Sequence, residues 1–563
     1  MPSYLFSNLD QETLLFEPAS IDANALNIVL AFPSTYSVGI TSLGYQIVWA
    51  TLAQRRDVNV KRLFTDQQER ICEQIDLFGL SLSWELDGPV LLDLLEQQRI
   101  PFWSDQRGEN DPIVFGGGPV LTANPEPLAP FFDVILLGDG ELLIPSFIDQ
   151  VQIYRNSSRA ERIRALAQVP GIYIPALYKV SYCQEGNLHS VKPIDVNIPR
   201  SITKQTWKGN TLSHSMVITP QAAWPSIHMV EVVRSCPELC RFCLASYLAL
   251  PFRTASLEDG LIPAVEKGLK FTRRLGLLGA SITQHPQFID LLDWLDQDQF
   301  NNIRLSISSV RTSTVTPKLS RILSKRGSKS ITIAIESGSE KIRNVINKKL
   351  TQEEIFAAAS CAKQSGLNSL KFYAMVGLPT ETEEDINATG ELLLKIKETT
   401  PGLRLTLGVS SFVPKAHTPF QWQGVRPEAE KHLKLLGKKI MPKGIEFRAE
   451  SYGWSLVQAI LSRGDRRIAP VIVAVRSFSN SLGGWKRAYK SVQNRQLDVG
   501  SGNLSCPPLP PWEEIIHQNW DIKKVLPWSH IKGPLPEPTL ASHLREAMQS
   551  SLTCYGINSK MNN

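Results

Sequence analysis

No histidine precedes His189 in this 563-residue chain. The first third therefore supplies no imidazole, neither as a general base nor as a metal ligand. No run of about 18 apolar residues occurs, so no membrane span is read. The N-terminus lacks the charged-then-apolar order of a secretory signal. Cysteine is sparse: eight in so long a chain do not build a disulfide framework, and reduced thiols in a cytoplasm are the expectation. Basic residues are dispersed and the net charge is only +6, so there is no clear nucleic-acid-binding signal.

What is present is a globular composition, 42% hydrophobic and 20% charged, long enough for roughly three or four domains. After a loose lead-in of 25 residues, short apolar runs alternate with helix-like stretches. "NIVLAF" (27–32), "DLFGLSL" (76–82), "PIVFGGG" (112–118) and "VILLGDG" (134–140) read as buried parallel strands. "TSLGYQIVWATLAQ" and "WELDGPVLLDLLEQQ" between them carry helical spacing. The pattern predicts an α/β fold with a doubly wound, Rossmann-like N-terminal sheet over 1–157.

Residues 158–225 read as a small β connector, with a hairpin from "PGIYIPALYKVSY" to "EGNLHSVKPI". From 226 to 422 six strand candidates return: "HMVEVVR", "LGLLGASI", "IRLSIS", "ITIAIE", "LKFYAMV" and "LRLTLGVSS". Helical stretches separate them, such as "TQEEIFAAASCAKQSG" with its Thr-x-x-Glu start and Gly end. Six such units make a partial (β/α)6 barrel of the TIM type or an open sheet. Either gathers function where strands end. Residues 423–563 read as a helical, Pro-rich extension with a frayed end.

The first of the six strands runs into "RSCPELCRFCLASY", which places Cys236, Cys240 and Cys243 within eight residues. Three thiolates could ligate zinc, but a structural zinc site wants four ligands. His228 lies back on the strand, and no second Cys-x-x-Cys pair exists. An iron–sulfur cluster also takes four. A cluster held by three leaves one iron open to a substrate or cofactor.

Cys-x-x-x-Cys-x-aromatic-Cys after the first strand of a βα array resembles the radical S-adenosylmethionine (radical SAM) enzymes. The resemblance implies a [4Fe–4S] cluster on Cys236, Cys240 and Cys243. It implies S-adenosylmethionine on the fourth iron, reductive cleavage to a 5′-deoxyadenosyl radical, and a flavodoxin- or ferredoxin-type electron donor. By the same resemblance Phe242 packs near the adenine. "LLGASI" stands where the superfamily often has Gly-Gly-Glu; the acid is absent, so only backbone contact from Gly279 and Ala280 carries over. Ser308, in "SISS", is placed for ribose or carboxylate. "AIESGSEKIRNVINK" resembles the family's Ile-Glu-Ser-Gly-Ser stretch: Glu336 leaves the strand, and Gly338 and Ser339 open a helix whose N–H groups suit a carboxylate. "AMVGLPTETEED", with Gly377, resembles the segment that lies against adenine, and "FVPKAHTPFQW" the sixth-strand segment. Each also has a plainer reading as turn or cap.

The N-terminal stretches "FPSTYSVGITSLGYQIVWATL", "FGLSLSWE" and "FGGGPVLTANPEPLAPFFDVILLGDGE" are similar to the cobalamin-binding-like domain that precedes many radical SAM cores. The resemblance implies corrinoid contacts from Ser81, Gly117, Gly118, Gly140 and Glu141, small residues letting a flat ring approach the backbone. "STYSVG" stands where Asp-x-His-x-x-Gly would supply a lower ligand. Either cobalamin binds without a protein histidine, or the domain has lost it. With cobalamin, methyl transfer to an unactivated carbon is the leading reaction; without it, radical rearrangement or oxidation. A non-catalytic cluster-bearing regulatory or assembly protein is the rival from another class. The substrate is not legible.

Four further features carry two readings each. Arg253 suits a carboxylate or a rim ion pair. His285 and His417, past the second and sixth strands, are proton shuttles or solvated loop residues. "LSRGDRRIAP" (461–470) reads as an exposed helix end or a contact for an anionic substrate. Cys554 stands alone and is assigned no metal.

Overall fold

The computed structural model describes residues 11–308, 310–494 and 507–553; Cys506 and Cys554 lie outside them. The first sheet has six strands: β1 (Leu26–Ala31), β2 (Val58–Leu63), β3 (Leu77–Ser81), β4 (Ile113–Gly117), β5 (Val134–Leu136) and β6 (Ile172–Tyr173). They lie side by side as β2-β1-β3-β4-β5-β6. The first five are parallel and β6 is antiparallel. The order reverses between β1 and β3, where an open α/β sheet leaves a crevice beyond its carboxyl ends.

Two features of this sheet depart from the sequence reading. Strand β2 was not predicted, because "VNVKRL" alternates instead of running apolar. Its Arg62 is buried, satisfied by Glu12 and Glu69 at 2.8 Å each. Strand β6 comes from the predicted connector and completes the sheet. The lead-in is also held, since Thr13–Leu14 pairs antiparallel with Val217–Ile218. The connector hairpin joins Tyr178–Tyr182 to Leu188–Pro193.

The second array has seven parallel strands: β7 (Ile227–Glu231), β8 (Arg274–Leu278), β9 (Arg304–Ile307), β10 (Ser330–Glu336), β11 (Ser369–Val376), β12 (Arg404–Ser411) and β13 (Glu446–Ala449). Strands β7–β9 form one sheet and β10–β13 another. A single parallel bridge, Val310 to Ile333, links them. The array is open among the described residues. The seventh strand corrects the expectation of six. "EFRA" is mostly exposed at the sheet edge, so it lacks the apolar run that marks a buried strand.

The C-terminal helices Tyr452–Arg463, Ala469–Val475, Leu482–Gln493 and Glu537–Thr553 do not hang free. One continuous apolar core runs from β1–β6 through them, and a second lies beneath β7–β13. Residues 461–470 are therefore not an exposed helix end. Arg463 is 1% exposed and donates to the carbonyls of Ile515 and Ile516. Arg466 pairs with Glu126 at 2.9 Å, and Arg467 with Asp465 at 2.7 Å. A chain cannot bury such cations unless each finds acceptors, and these are internal ones.

The two arrays meet through ion pairs at Arg234. Its guanidinium lies 2.7 Å from Glu231 and 2.7 Å from Glu141, and 3.5 Å from Asp139. Arg253 adds a 2.6 Å contact to Asp139. Burial pushes the Asp139 carboxyl up, but the cations Arg234, Lys204 and Arg253 prevail and hold it below the usual aspartate value. The backbone meets as closely: Gly138 has φ +131°, and a Cβ there would lie 2.1 Å from the Gln205 carbonyl.

Gly138→Ala is expected to lower the unfolding free energy by about 2 kcal/mol in urea titration. Gly44→Ala, whose Cβ meets nothing within 4 Å, should be neutral or slightly stabilising. Asp139→Asn should be about 2 kcal/mol less stable at neutral pH. Because the folded value lies below the unfolded one, this contribution is complete above the unfolded value. It is lost as pH falls through the folded one. The difference between parent and variant should therefore close below about pH 4.

Candidate active site

The cysteine loop begins where β7 ends. Val233–Arg234 pairs antiparallel with Arg253–Thr254, and a helix starts at Leu244. Between them Ser235 (φ +70°) and Leu239 (φ +53°) take left-handed conformations that cost non-glycine residues energy. The facing segment is strained too, at Glu336 (φ +63°), Asn347 (φ +56°) and Lys349 (φ +47°). The two segments hold each other. Asn347 Nδ2 donates to the carbonyls of Glu238 and Leu239 at 3.1 and 3.0 Å. The Arg241 guanidinium caps the carbonyls of Asn344 and Val345. From the last helix, His543 meets Tyr247 Oη at 3.0 Å.

This frame buries Cys240 and leaves Cys236 and Cys243 half-buried. Burial pushes the Cys240 thiol up to about 12, against the pull of Lys348, and raises Cys243 as well. Cys236 Sγ lies 3.8 Å from Gln284 Oε1. Lys348 Nζ bonds Glu336 at 2.9 Å. Burial lowers its affinity for a proton, but Glu336 and Cys240 prevail and raise it. A recess of about 80 Å³ opens beside Cys236 and Cys240, walled by Glu238, Ala280, Arg311 and Lys348 among others. Buried thiols become thiolates only when a cation replaces their protons. Among the described residues no three Cys, His, Asp or Glu side chains stand close enough to hold one metal ion. A cluster bonds each thiolate to a different iron, so its thiolates stand further apart than those around a single ion. The donor set fits that.

A cavity of about 710 Å³ lies beyond the carboxyl ends of the first sheet, between it and the start of the second array. Ser81, Gly117, Gly118, Gly140, Glu141, Gly279 and Ala280 all line it. Two of these are small for a reason other than the one expected. A Cβ on Gly118 would lie 2.3 Å from the Leu82 carbonyl, and one on Gly279 2.7 Å from the Val233 carbonyl. The chain's own crossing requires these glycines, not the approach of a ring. Glu141 is already engaged by Arg234. Gly44, Lys204 and Arg234 also line the cavity and went unassigned in the sequence, where nothing but position beside a motif marks them. The described lining has no imidazole, thiol or thioether.

Other sequence candidates are displaced. The Gly338 N–H goes to Thr389 Oγ1 at 2.8 Å, and the Ser339 hydroxyl to Asp385 at 2.6 Å. Both groups at that helix start are thus engaged by the helix Glu383–Thr399. Gly377 donates to Glu381, and a Cβ on it would lie 2.8 Å from Ala429, at the start of the helix Ala429–Ile440. Ser308 Oγ donates to the Gly279 carbonyl at 3.1 Å. Phe242 packs against the first apolar core. Arg253 spends its donors on Asp139, Trp207, Ala249 and Pro251, so it is an ion-pair residue. His285 is buried with both ring nitrogens on backbone, at Ala255 and Gln287. His417 is buried beside Trp528 and pushed down to about 4 by burial. Neither is a solvated loop histidine or a shuttle.

Comparison with known proteins agrees with this geometry. The family description "Radical SAM proteins, N-terminal" matches residues 44–175, and "Radical SAM superfamily" matches 230–393. An uncharacterised protein of Methanocaldococcus jannaschii is 28% identical over 449 residues, covering 79% of this chain and 90% of its own. An uncharacterised methyltransferase of Pyrococcus horikoshii is 24% identical over 302 residues, 50% of this chain and 58% of its own. A solved structure of the radical S-adenosylmethionine methyltransferase TsrM from Kitasatospora setae, with cobalamin and a [4Fe–4S] cluster bound, superposes with a TM-score of 0.47. Its identity is 12%, and the match covers 95% of this chain and 100% of that one. With the two family matches spanning just over half the chain, and the second holding the three cysteines, the chain belongs to the radical SAM superfamily.

Proposed function

We propose that Cys236, Cys240 and Cys243 hold a [4Fe–4S] cluster with S-adenosylmethionine on its fourth iron. We also propose that the large cavity takes the substrate with a corrinoid, for methyl transfer to an unactivated carbon. One observation carries the reading: Ala280 lines both the recess at Cys236 and Cys240 and the 710 Å³ cavity. A reactive group generated on one side of that wall has its target on the other. The relative in P. horikoshii, named as a methyltransferase, supports the choice of reaction.

When bound, the cluster supplies one electron that breaks a C–S bond of S-adenosylmethionine, and a corrinoid supplies a cobalt that carries a methyl group. The chain's residues prepare the place. Burial of Cys240 limits the water that would quench a radical. Lys348, paired with Glu336 and close to Cys240, sets a positive charge beside the thiolates and offsets part of theirs. Gly279 and Ala280 keep the wall thin. A flavodoxin- or ferredoxin-type protein is the electron donor this chemistry requires. A second reading, radical rearrangement or oxidation without cobalamin, is favoured by the lining's lack of any imidazole, thiol or thioether.

Anaerobic reconstitution with iron and sulfide, followed by a strong reductant, is expected to release 5′-deoxyadenosine from S-adenosylmethionine. Cys240→Ala should bind far less iron and bring release down to background. A full cluster with undiminished release in that variant would refute the assignment. A corrinoid absorption band in protein purified from cobalamin-fed cells supports methyl transfer, and its absence after reconstitution removes that branch.

A further inference from the structure

Lys204 is the one charged group on the large cavity's described wall without an ion pair. The carboxylates of Asp139, Glu141 and Glu231 are bonded to Arg234 and Arg253. Lys204 is 9% exposed, and its ammonium makes a single hydrogen bond, to Thr206 Oγ1 at 2.9 Å. No carboxylate of the described residues lies within ion-pair distance of it. Two of its three N–H groups thus have no acceptor among the described residues. A buried ammonium left so costs stability unless something completes its shell.

The backbone that carries it is fixed on both sides. Ile202–Thr203 pairs in parallel with Ile531–Lys532, and Lys204 N bonds the Lys532 carbonyl. Gln205 N bonds the Leu137 carbonyl at the end of β5. Lys204 is therefore preorganised, and the surrounding wall is mainly apolar, with Ile47, Val48, Leu143, Leu244 and Leu248. The other charges near it are Asp139, Arg253 and Arg234, and these are paired with one another. A neutral apolar ligand would leave the ammonium bare. An oxyanion with two lone-pair-bearing oxygens meets both free N–H groups.

We propose that Lys204 receives an oxyanion, carboxylate or phosphate, of the molecule that fills the cavity. The proposal rests on the reading of that cavity as the ligand site. It narrows the ligand to one with an apolar body and an acidic group. Two sources share the chemistry: the phosphodiester of a corrinoid's nucleotide loop, and an acidic group of the substrate.

Two probe pairs separate them in binding titrations on the reconstituted full chain. Aquocobalamin carries the phosphodiester and cobinamide lacks it. Naphthalene-2-carboxylate carries an acid and naphthalene-2-carboxamide does not. The wild type is expected to bind the oxyanion-bearing member of at least one pair about tenfold more tightly than the member without it. Lys204→Met should level that pair while keeping the affinity for the member without the oxyanion and a melting temperature no lower than the parent's, and Lys204→Arg should restore most of the preference. A wild type that distinguishes neither pair overturns the proposal, as does a Lys204→Met protein that keeps the preference. Intact S-adenosylmethionine cleavage beside such a result would leave the cluster assignment standing. Loss of cleavage in the wild type with the preference intact would sink that assignment alone.

Discussion

The arrangement depends on one guanidinium. Arg234 ends the strand segment that leads into the cysteines, and it grips Glu231 of its own array and Asp139 and Glu141 of the other. The same residue thus fixes the direction in which the thiol loop departs and the distance between the two sheets. Charges this far from solvent are held in place strongly, because losing a partner strands the other in low dielectric. The large cavity is the gap that this spacing leaves.

Around that anchor, strain is concentrated at the thiols. Of nine non-glycine residues with positive φ among the described residues, five lie in the cysteine loop or the segment after β10 that faces it. The strained residues lie outside the helix Glu340–Val345, and the two segments are tied by hydrogen bonds from each other. The last helix reinforces the loop through Tyr247 and Arg241. This explains why the C-terminal stretch shares a core with the first sheet instead of trailing from it. It closes over the far side of the loop.

The sequence reading was most faithful where one physical signal dominates. The buried parallel strands β1, β3, β4 and β5 are nearly continuous apolar runs, and β7–β12 keep enough apolar positions between helical stretches to be legible as well. Strands β2 and β13 were not, because edge positions let Lys61, Arg62, Glu446 and Arg448 interrupt the pattern. The glycines at 118 and 279 line the cavity, and the cause of their smallness is a crossing backbone that no local pattern reveals. Gly338, Gly377, His285 and His417 stood in suggestive places. Gly338 N–H and the His285 ring are held by Thr389 and Ala255, distant in sequence, Gly377 N–H by the nearby Glu381, and His417 is buried beside Trp528.

By itself the sequence determined the two α/β arrays and the grouping of three thiols at a strand end, since apolar runs and residue spacing are local properties of the chain. Only the tertiary structure decided which polar groups are already spoken for and which, like Lys204, are left open. Hydrogen bonds and ion pairs between Arg234, Asp139 and Glu141, or between Arg463 and Ile515, span tens of residues. Their existence depends on how the sheets pack, which no stretch of the chain encodes alone.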